Sequence, residues 1–172
     1  MTDRAQAQSD LSRTRRDFLK ASTATAIGAV AAGTLSLSRS AHAAGGDELK
    51  VGLIGCGSRG AGAAVNALNA DPNVKLVAMG DAFVDKLESS LKNLQADSTL
   101  AAKIDVPPQR RFVGFDAYKQ VIDSGVDVVL LTTPPHFRPL HFQAAVAAGK
   151  HVFCEKPVAV DAPGLRSVMA SA

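Results

Sequence analysis

Gly55, Gly57 and Gly60 stand at the spacing Gly-x-Gly-x-x-Gly, with Cys56, Ser58 and Arg59 between them. A short apolar run, Leu49 to Ile54, leads into these glycines, and an Ala-rich segment without a helix breaker follows as far as Pro72. Strand, glycine turn and helix in that order can cradle a pyrophosphate. The first glycine permits a tight turn, the second lets the backbone approach the phosphates, and the third lets helix and strand pack closely. The phosphates would rest on the free N–H groups and the positive dipole end of the helix. Asp81 closes the next apolar run, about 20 residues further on, where a carboxylate can accept hydrogen bonds from both ribose hydroxyls of an adenosine. It would also repel a 2′-phosphate, and Ala82, Phe83 and Val84 supply no cation, so the cofactor reading is NAD rather than NADP. Two alternatives stand beside it. Asp81 could cap the helix starting near Phe83, and flavin or S-adenosylmethionine sites on other doubly wound folds also use glycine turns.

Lys156 is the candidate for moving a proton. It lies in Gly149-Lys150-His151-Val152-Phe153-Cys154-Glu155-Lys156-Pro157, which carries the last apolar run into a turn. A lysine at a sheet's C-terminal edge, facing a nicotinamide, could bind a substrate hydroxyl and help take its proton, and partial burial would suit it to that task. Glu155 could orient the ammonium. Taken alone, Lys156 reads first as a solvated lysine at a strand end and only second as a catalyst. Thr132-Thr133-Pro134-Pro135-His136 follows another apolar run, and its prolines would fix a loop over the cofactor.

The elements that must position these groups alternate. Apolar runs predict strands near 49–54, 74–79, 111–113, 126–132 and 150–154, and helices near 60–70, 83–95, 116–123, 139–148 and 163–170. The stretch 97–109 is largely polar, ends in Pro107-Pro108 and reads as a surface excursion. Val126 to Leu131 is nearly all apolar, as suits a central parallel strand covered on both faces. Five βα units with right-handed crossovers make an α/β, doubly wound parallel sheet, with ligands at the strand C-terminal ends. Gly55, Asp81, Thr133 and Glu155 all fall there.

The first 43 residues read differently. Thr14-Arg15-Arg16-Asp17-Phe18-Leu19-Lys20 fits the twin-arginine export pattern, a mildly apolar stretch runs from Ala21 to Leu37, and Ala41-His42-Ala43 fits a small-x-small cleavage site. That stretch is too weakly apolar to hold a membrane span, and no cysteine near the cleavage site suggests a lipid anchor. The alternative is a disordered basic tail. The expected organisation is a signal over 1–43, a linker over 44–48, the nucleotide-binding domain over 49–160 and the start of a further helix over 161–172. The mature product would be periplasmic or extracellular. Residues 1–43 hold six basic and three acidic residues, and the remainder holds thirteen of each. That balance gives no electrostatic case for nucleic acid or an anionic membrane surface. Cys56 and Cys154 are the only cysteines. They fall at the C-terminal ends of strands with another strand between them, so they read as two free thiols rather than a disulfide. Their spacing offers no metal site.

Gly-x-Gly-x-x-Gly after the first strand, Thr-Pro-Pro-His after the fourth and Gly-Lys-His-Val-x-x-Glu-Lys-Pro at the fifth resemble the glucose–fructose oxidoreductase/inositol dehydrogenase (Gfo/Idh/MocA) family, from about Leu49 to Arg166. The resemblance implies a Rossmann domain and hydride transfer between NAD(P) and a carbon of a sugar, cyclitol or related polyol. It places the catalytic lysine on Lys156, the phosphate-binding glycines on Gly55, Gly57 and Gly60, and the ribose acid on Asp81. Thr133, Pro134, Pro135 and His136 fall on the loop lining the cofactor, and Glu155 precedes the lysine as in relatives. Arg138 stands where many relatives have a second histidine. Relatives also continue into a second α/β domain that supplies most substrate contacts, so the chain reads as the N-terminal part of a longer protein. His136 and His141 are weak proton-relay candidates, His141 reading better as a packed or surface residue.

Three functions compete at this level: an exported NAD-dependent polyol or sugar oxidoreductase, an NAD-using glycosidase with no net redox change, and a nucleotide-binding module without catalysis. The expected partners are a small sugar or polyol, the twin-arginine export machinery and, for the full-length protein, further copies of itself. Because free nucleotide is scarce outside the cell, NAD is expected to be loaded before export and retained.

Overall fold

The computed structural model describes residues 48–172. The expected signal over 1–43 and the linker up to 47 lie outside the described residues. Among the described residues five strands and five helices alternate: β1 (Leu49–Ile54), α1 (Ser58–Ala70), β2 (Val74–Asp81), α2 (Val84–Ala96), β3 (Arg111–Val113), α3 (Ala117–Asp123), β4 (Val128–Leu131), α4 (Arg138–Ala147), β5 (His151–Cys154) and α5 (Ala162–Ser171). All strand pairs are parallel, in the order β3-β2-β1-β4-β5. The chain winds outward from β1 in one direction and resumes on its other side with β4. That reversal opens a crevice at the C-terminal ends of β1 and β4, the ligand position of doubly wound sheets.

β1, β2 and β4 each contribute to two cores because successive side chains face opposite sides. Leu53 and Leu130 pack with Leu68, Leu87, Leu91 and Leu94 under α1 and α2. Ile54, Val129 and Leu131 pack with Tyr118, Val121 and Ala145 under α3 and α4. The helices bury the stripe their spacing dictates: Gly60, Ala63, Ala64 and Leu68 on α1, and Leu87, Ser90, Leu91 and Leu94 on α2. On the second face, Val121 of α3 sits in a notch between β1 and β2. A Cβ on Gly52 would come within 2.6 Å of one Val121 methyl, and a Cβ on Gly80 within 2.8 Å of the other.

Two expectations need correction. The stretch 97–109 is more than a surface excursion. Its scattered apolar residues turn inward, leaving Leu100 and Val106 buried and Ile104 bridged to Leu76 of β2. Two 3₁₀ turns, Ala101–Lys103 and Pro108–Arg110, shape it, and Lys103 Nζ donates to the Leu68 and Asp71 carbonyls at the end of α1 (2.5 and 2.9 Å). Helix α1 also starts at Ser58 instead of 60, with Gly57 as its N-cap, so the third glycine lies inside the first turn. The other elements agree with expectation within two residues at each end, where helices and strands fray. Cys56 and Cys154 are free thiols, with β4 between their strands.

Candidate active site

The glycine turn is built from constraints of two kinds. Gly55 adopts φ +95° and donates its N–H to the Gly80 carbonyl (2.8 Å), a conformation that suits glycine. Gly60 packs so closely on the turn that a Cβ would overlap the Gly55 carbonyl oxygen. Thr132, just past β4, locks the arrangement by donating its hydroxyl to the Gly55 carbonyl at 2.6 Å, with the Ile54 carbonyl at 3.1 Å. Gly57 is different. Its φ of −66° suits any residue, and a Cβ there would meet nothing within 4 Å. Nothing in the described structure requires a glycine at 57, and the space above it is open.

No side chain caps the N-terminus of α1, and its first turn holds no acid. The positive end of the helix dipole therefore opens, uncompensated within the helix, beside the space above Gly57. That combination fits a pyrophosphate. The turn opens on a cleft of about 600 Å³ walled by Gly55, Gly57, Arg59, Asp81, Thr133 and Pro134, with Phe83 and Phe115 among its apolar walls. Cys56, Ser58 and Gly60 complete the turn beside it.

Asp81 does not cap α2, whose N-cap is Phe83 with no side-chain cap hydrogen bond. One carboxylate oxygen accepts the Cys56 N–H (2.6 Å) and the other the Phe83 N–H (2.9 Å), just before α2. The Asp81 carboxylate thus braces the glycine turn and lines the cleft, with capacity to accept further hydrogen bonds. The Cys56 N–H is consequently taken by Asp81 instead of pointing at a phosphate. Its thiol is buried against the Gly80 carbonyl (3.5 Å), and burial pushes its pKa far up.

The two loops after β4 and β5 lie side by side because those strands pair. Thr133 and Pro134 wall the cleft. Pro135 is half-buried, and His136 is exposed, its ring edge-on to Phe137 at 5.2 Å. Glu155 does not orient the Lys156 ammonium as expected. Its buried carboxylate pairs with the Arg59 guanidinium of the glycine turn and accepts the Lys156 backbone N–H (3.2 Å). The Arg59 hydrogen bond holds the Glu155 carboxyl below the usual range. Lys156 is exposed rather than partly buried, follows β5 next to a cis Lys156–Pro157 bond, and is not among the residues walling the cleft. His141 is packed: it stacks on Tyr118 (4.1 Å) with Nδ1 3.3 Å from the Thr133 hydroxyl, and burial lowers its pKa to about 4. It is neutral at ordinary pH.

Sequence reasoning missed Arg138. Its side chain is 5% exposed, and Nε donates to the Thr133 carbonyl (2.7 Å) while Nη1 donates to the Glu155 and Pro157 carbonyls (2.6 and 2.5 Å). The signal available was a cation at the first position of a helix, where it opposes the dipole. A basic residue in that place needs acceptors from elsewhere in the fold.

Residues 49–172 match the Gfo/Idh/MocA model, described as an oxidoreductase family with an NAD-binding Rossmann fold. Inositol 2-dehydrogenase of Klebsiella pneumoniae (strain 342) is 31% identical over 122 residues, covering 71% of this chain and 32% of that protein. Glycosyl hydrolase family 109 protein 2 of Shewanella sp. (strain ANA-3) is 31% identical over 163 residues, covering 84% of this chain and 34% of that protein. Among solved structures, myo-inositol 2-dehydrogenase from Lactobacillus plantarum superposes with a TM-score of 0.55 at 28% identity, covering 73% of this chain and 33% of the other. The chain spans about a third of the length of the curated relatives it matches.

Proposed function

The chain belongs to the Gfo/Idh/MocA family of oxidoreductases, with its NAD-binding Rossmann fold over residues 49–172, and from that premise we propose that the full-length protein transfers a hydride between NAD and a carbon of a sugar, cyclitol or related polyol. The carrying observation is the juxtaposition of the loops after β4 and β5. Thr133 and Pro134 wall the cofactor cleft, and Lys156 follows the neighbouring strand. The bound nicotinamide supplies a hydride acceptor. Gly57 and the first turn of α1 hold the phosphates, Asp81 holds the ribose and disfavours a 2′-phosphate, and Lys156, covered once substrate and the rest of the protein close over it and acting as the neutral amine, binds the substrate hydroxyl and takes its proton as the carbon loses hydride. The product is the corresponding carbonyl compound. The remaining substrate contacts come from sequence beyond these 172 residues, in a second α/β domain, and the assembled protein is a homo-oligomer.

A relative named as a glycosyl hydrolase matches this chain at the same 31% identity as the inositol dehydrogenase. It supports a second reading in which the hydride is returned and a glycosidic bond is cleaved with no net redox change. Either chemistry suits a protein exported folded through the twin-arginine route with NAD inside. Purified full-length protein, dialysed exhaustively, is expected to retain stoichiometric nucleotide; an empty protein that works only with millimolar NAD supplied would refute retention. Incubation with a panel of inositols, aldoses and aryl glycosides separates the readings. A keto product supports the oxidoreductase, a released aglycone the glycosidase, and neither with NAD bound leaves a nucleotide-binding module. Lys156→Ala should lower turnover by ~10²–10⁴-fold with NAD affinity nearly intact. A variant at the wild-type rate would make the lysine structural.

A further inference from the structure

We propose that Arg138 is a positioning residue for Lys156, an inference that rests on the reading of Lys156 as the proton-handling group. The guanidinium is 95% buried by its 5% exposure, and three of its five N–H groups go to backbone carbonyls. Two of those carbonyls, Glu155 and Pro157, flank Lys156 and share one nitrogen, Nη1. The third, Thr133, belongs to the loop that walls the cleft. One rigid planar fork therefore sets the backbone on both sides of the lysine and fixes its distance from the cofactor-lining loop. Among the described residues the one other side chain on these carbonyls is the Cys154 thiol, a weak donor 3.6 Å from the Glu155 carbonyl.

The position argues for a specific task. Arg138 is the first residue of α4, where a cation faces the unfavourable end of the dipole, and burial removes it from water. Carbonyl acceptors at three points offset both penalties only if they are held where the fork reaches them. Lys156 itself is exposed, so no wall of packed side chains fixes it. Its aim depends on its backbone, whose N–H is held by the Glu155 carboxylate and whose flanking carbonyls are held by Arg138. Lysine is no substitute at 138, since an ammonium is a single point and cannot span carbonyls at opposite edges of a guanidinium.

Two measurements on Arg138→Lys test the proposal. In the 172-residue chain, hydrogen–deuterium exchange should accelerate at least tenfold over residues 154–158 while β1 and β2 keep wild-type protection. Unchanged exchange there overturns the clamp. In the full-length protein, with the substrate turned over fastest in the panel above, kcat should fall roughly 10–100-fold, as a misplacement on the order of 1 Å does. KM and NAD affinity should stay within about threefold. The double variant Arg138→Lys/Lys156→Ala should be no slower than Lys156→Ala alone. Additive losses, or a loss carried by NAD affinity, overturn positioning through Lys156. A near wild-type rate for Lys156→Ala, or no turnover of any panel compound, sinks instead the reading on which the proposal rests, while the exchange measurement still decides the clamp. If Arg138→Lys does not fold, Arg138→Gln replaces it, and failure of both to fold assigns the residue to structure and overturns the proposal.

Discussion

Alanine at Gly57 and alanine at Gly60 should produce opposite phenotypes three residues apart. At Gly60 the added Cβ overlaps the Gly55 carbonyl oxygen and lies 2.8 Å from the Thr132 hydroxyl and 3.1 Å from the Gly55 carbonyl carbon. Two of those three atoms are backbone and cannot swing aside. Overpacking of this kind costs about 1–3 kcal/mol, and displacing the Thr132 hydrogen bond adds about 1 kcal/mol. The better helix propensity of alanine returns about 1 kcal/mol. The net is a loss of about 1–3 kcal/mol, or a melting temperature lowered by roughly 4–12 °C for a domain of this size. At Gly57 the Cβ meets nothing within 4 Å and the backbone already suits alanine, so melting should fall by no more than a few degrees. NAD affinity should instead drop about 10–100-fold, because the methyl holds the phosphates off the amides and removes charge-assisted hydrogen bonds of about 1.5–3 kcal/mol. Calorimetric titration with NAD and a thermal melt on each variant give the four numbers. Wild-type NAD affinity for Gly57→Ala would refute the path of the phosphates over the turn, and a wild-type melt for Gly60→Ala would refute the packing argument.

Asp81→Ala should weaken NAD binding and narrow the preference over NADP by on the order of 1–3 kcal/mol, and it should also destabilise the chain by leaving the Cys56 N–H without its acceptor; equal NAD titrations for the variant and wild type would remove Asp81 from the site. His141 makes folding stability pH-dependent with a definite sign. The unfolded imidazole takes a proton below about 6.5 and the folded one only below about 4, so this contribution is complete above pH 6.5 and is lost as pH falls toward 4. Linkage gives a loss of about 2 kcal/mol between pH 7 and pH 5. Urea unfolding of wild type and His141→Phe, which keeps a ring stacked on Tyr118, should show that slope in the first and its absence in the second; parallel slopes would contradict a neutral buried histidine.

The architecture was legible because each strand is an apolar run bounded by breakers, and each helix carries its own stripe. Gly55, Asp81 and Thr133 could be placed from spacing because consecutive βα units deliver them to one edge of the sheet. What escaped was decided by partners distant in sequence. The excursion at 97–109 looked polar because only Leu100, Ile104 and Val106 turn inward, at spacings of four and two that make no single period. Glu155 was assigned to its neighbour Lys156, yet its partner is Arg59, brought across the sheet edge by the order β1-β4-β5. Arg138 looked like a departure from pattern because its three acceptors are backbone carbonyls, which carry no signature in the identities of the residues that own them.

Val121 and its notch have a consequence for how such a domain can change over generations. The two methyl groups of this one valine occupy space that side chains at 52 and 80 would otherwise claim, on two adjacent strands at once. Positions 52, 80 and 121 therefore form a single unit of inheritance. A larger residue at either glycine calls for a smaller one at 121 and for give in Val126 beside position 52 or Ala117 beside position 80. Bulk can be traded within this trio but not added to it. Drift among relatives should thus appear as paired exchanges across the three sites, keeping α3 seated at one height along the sheet whatever the surrounding sequence becomes.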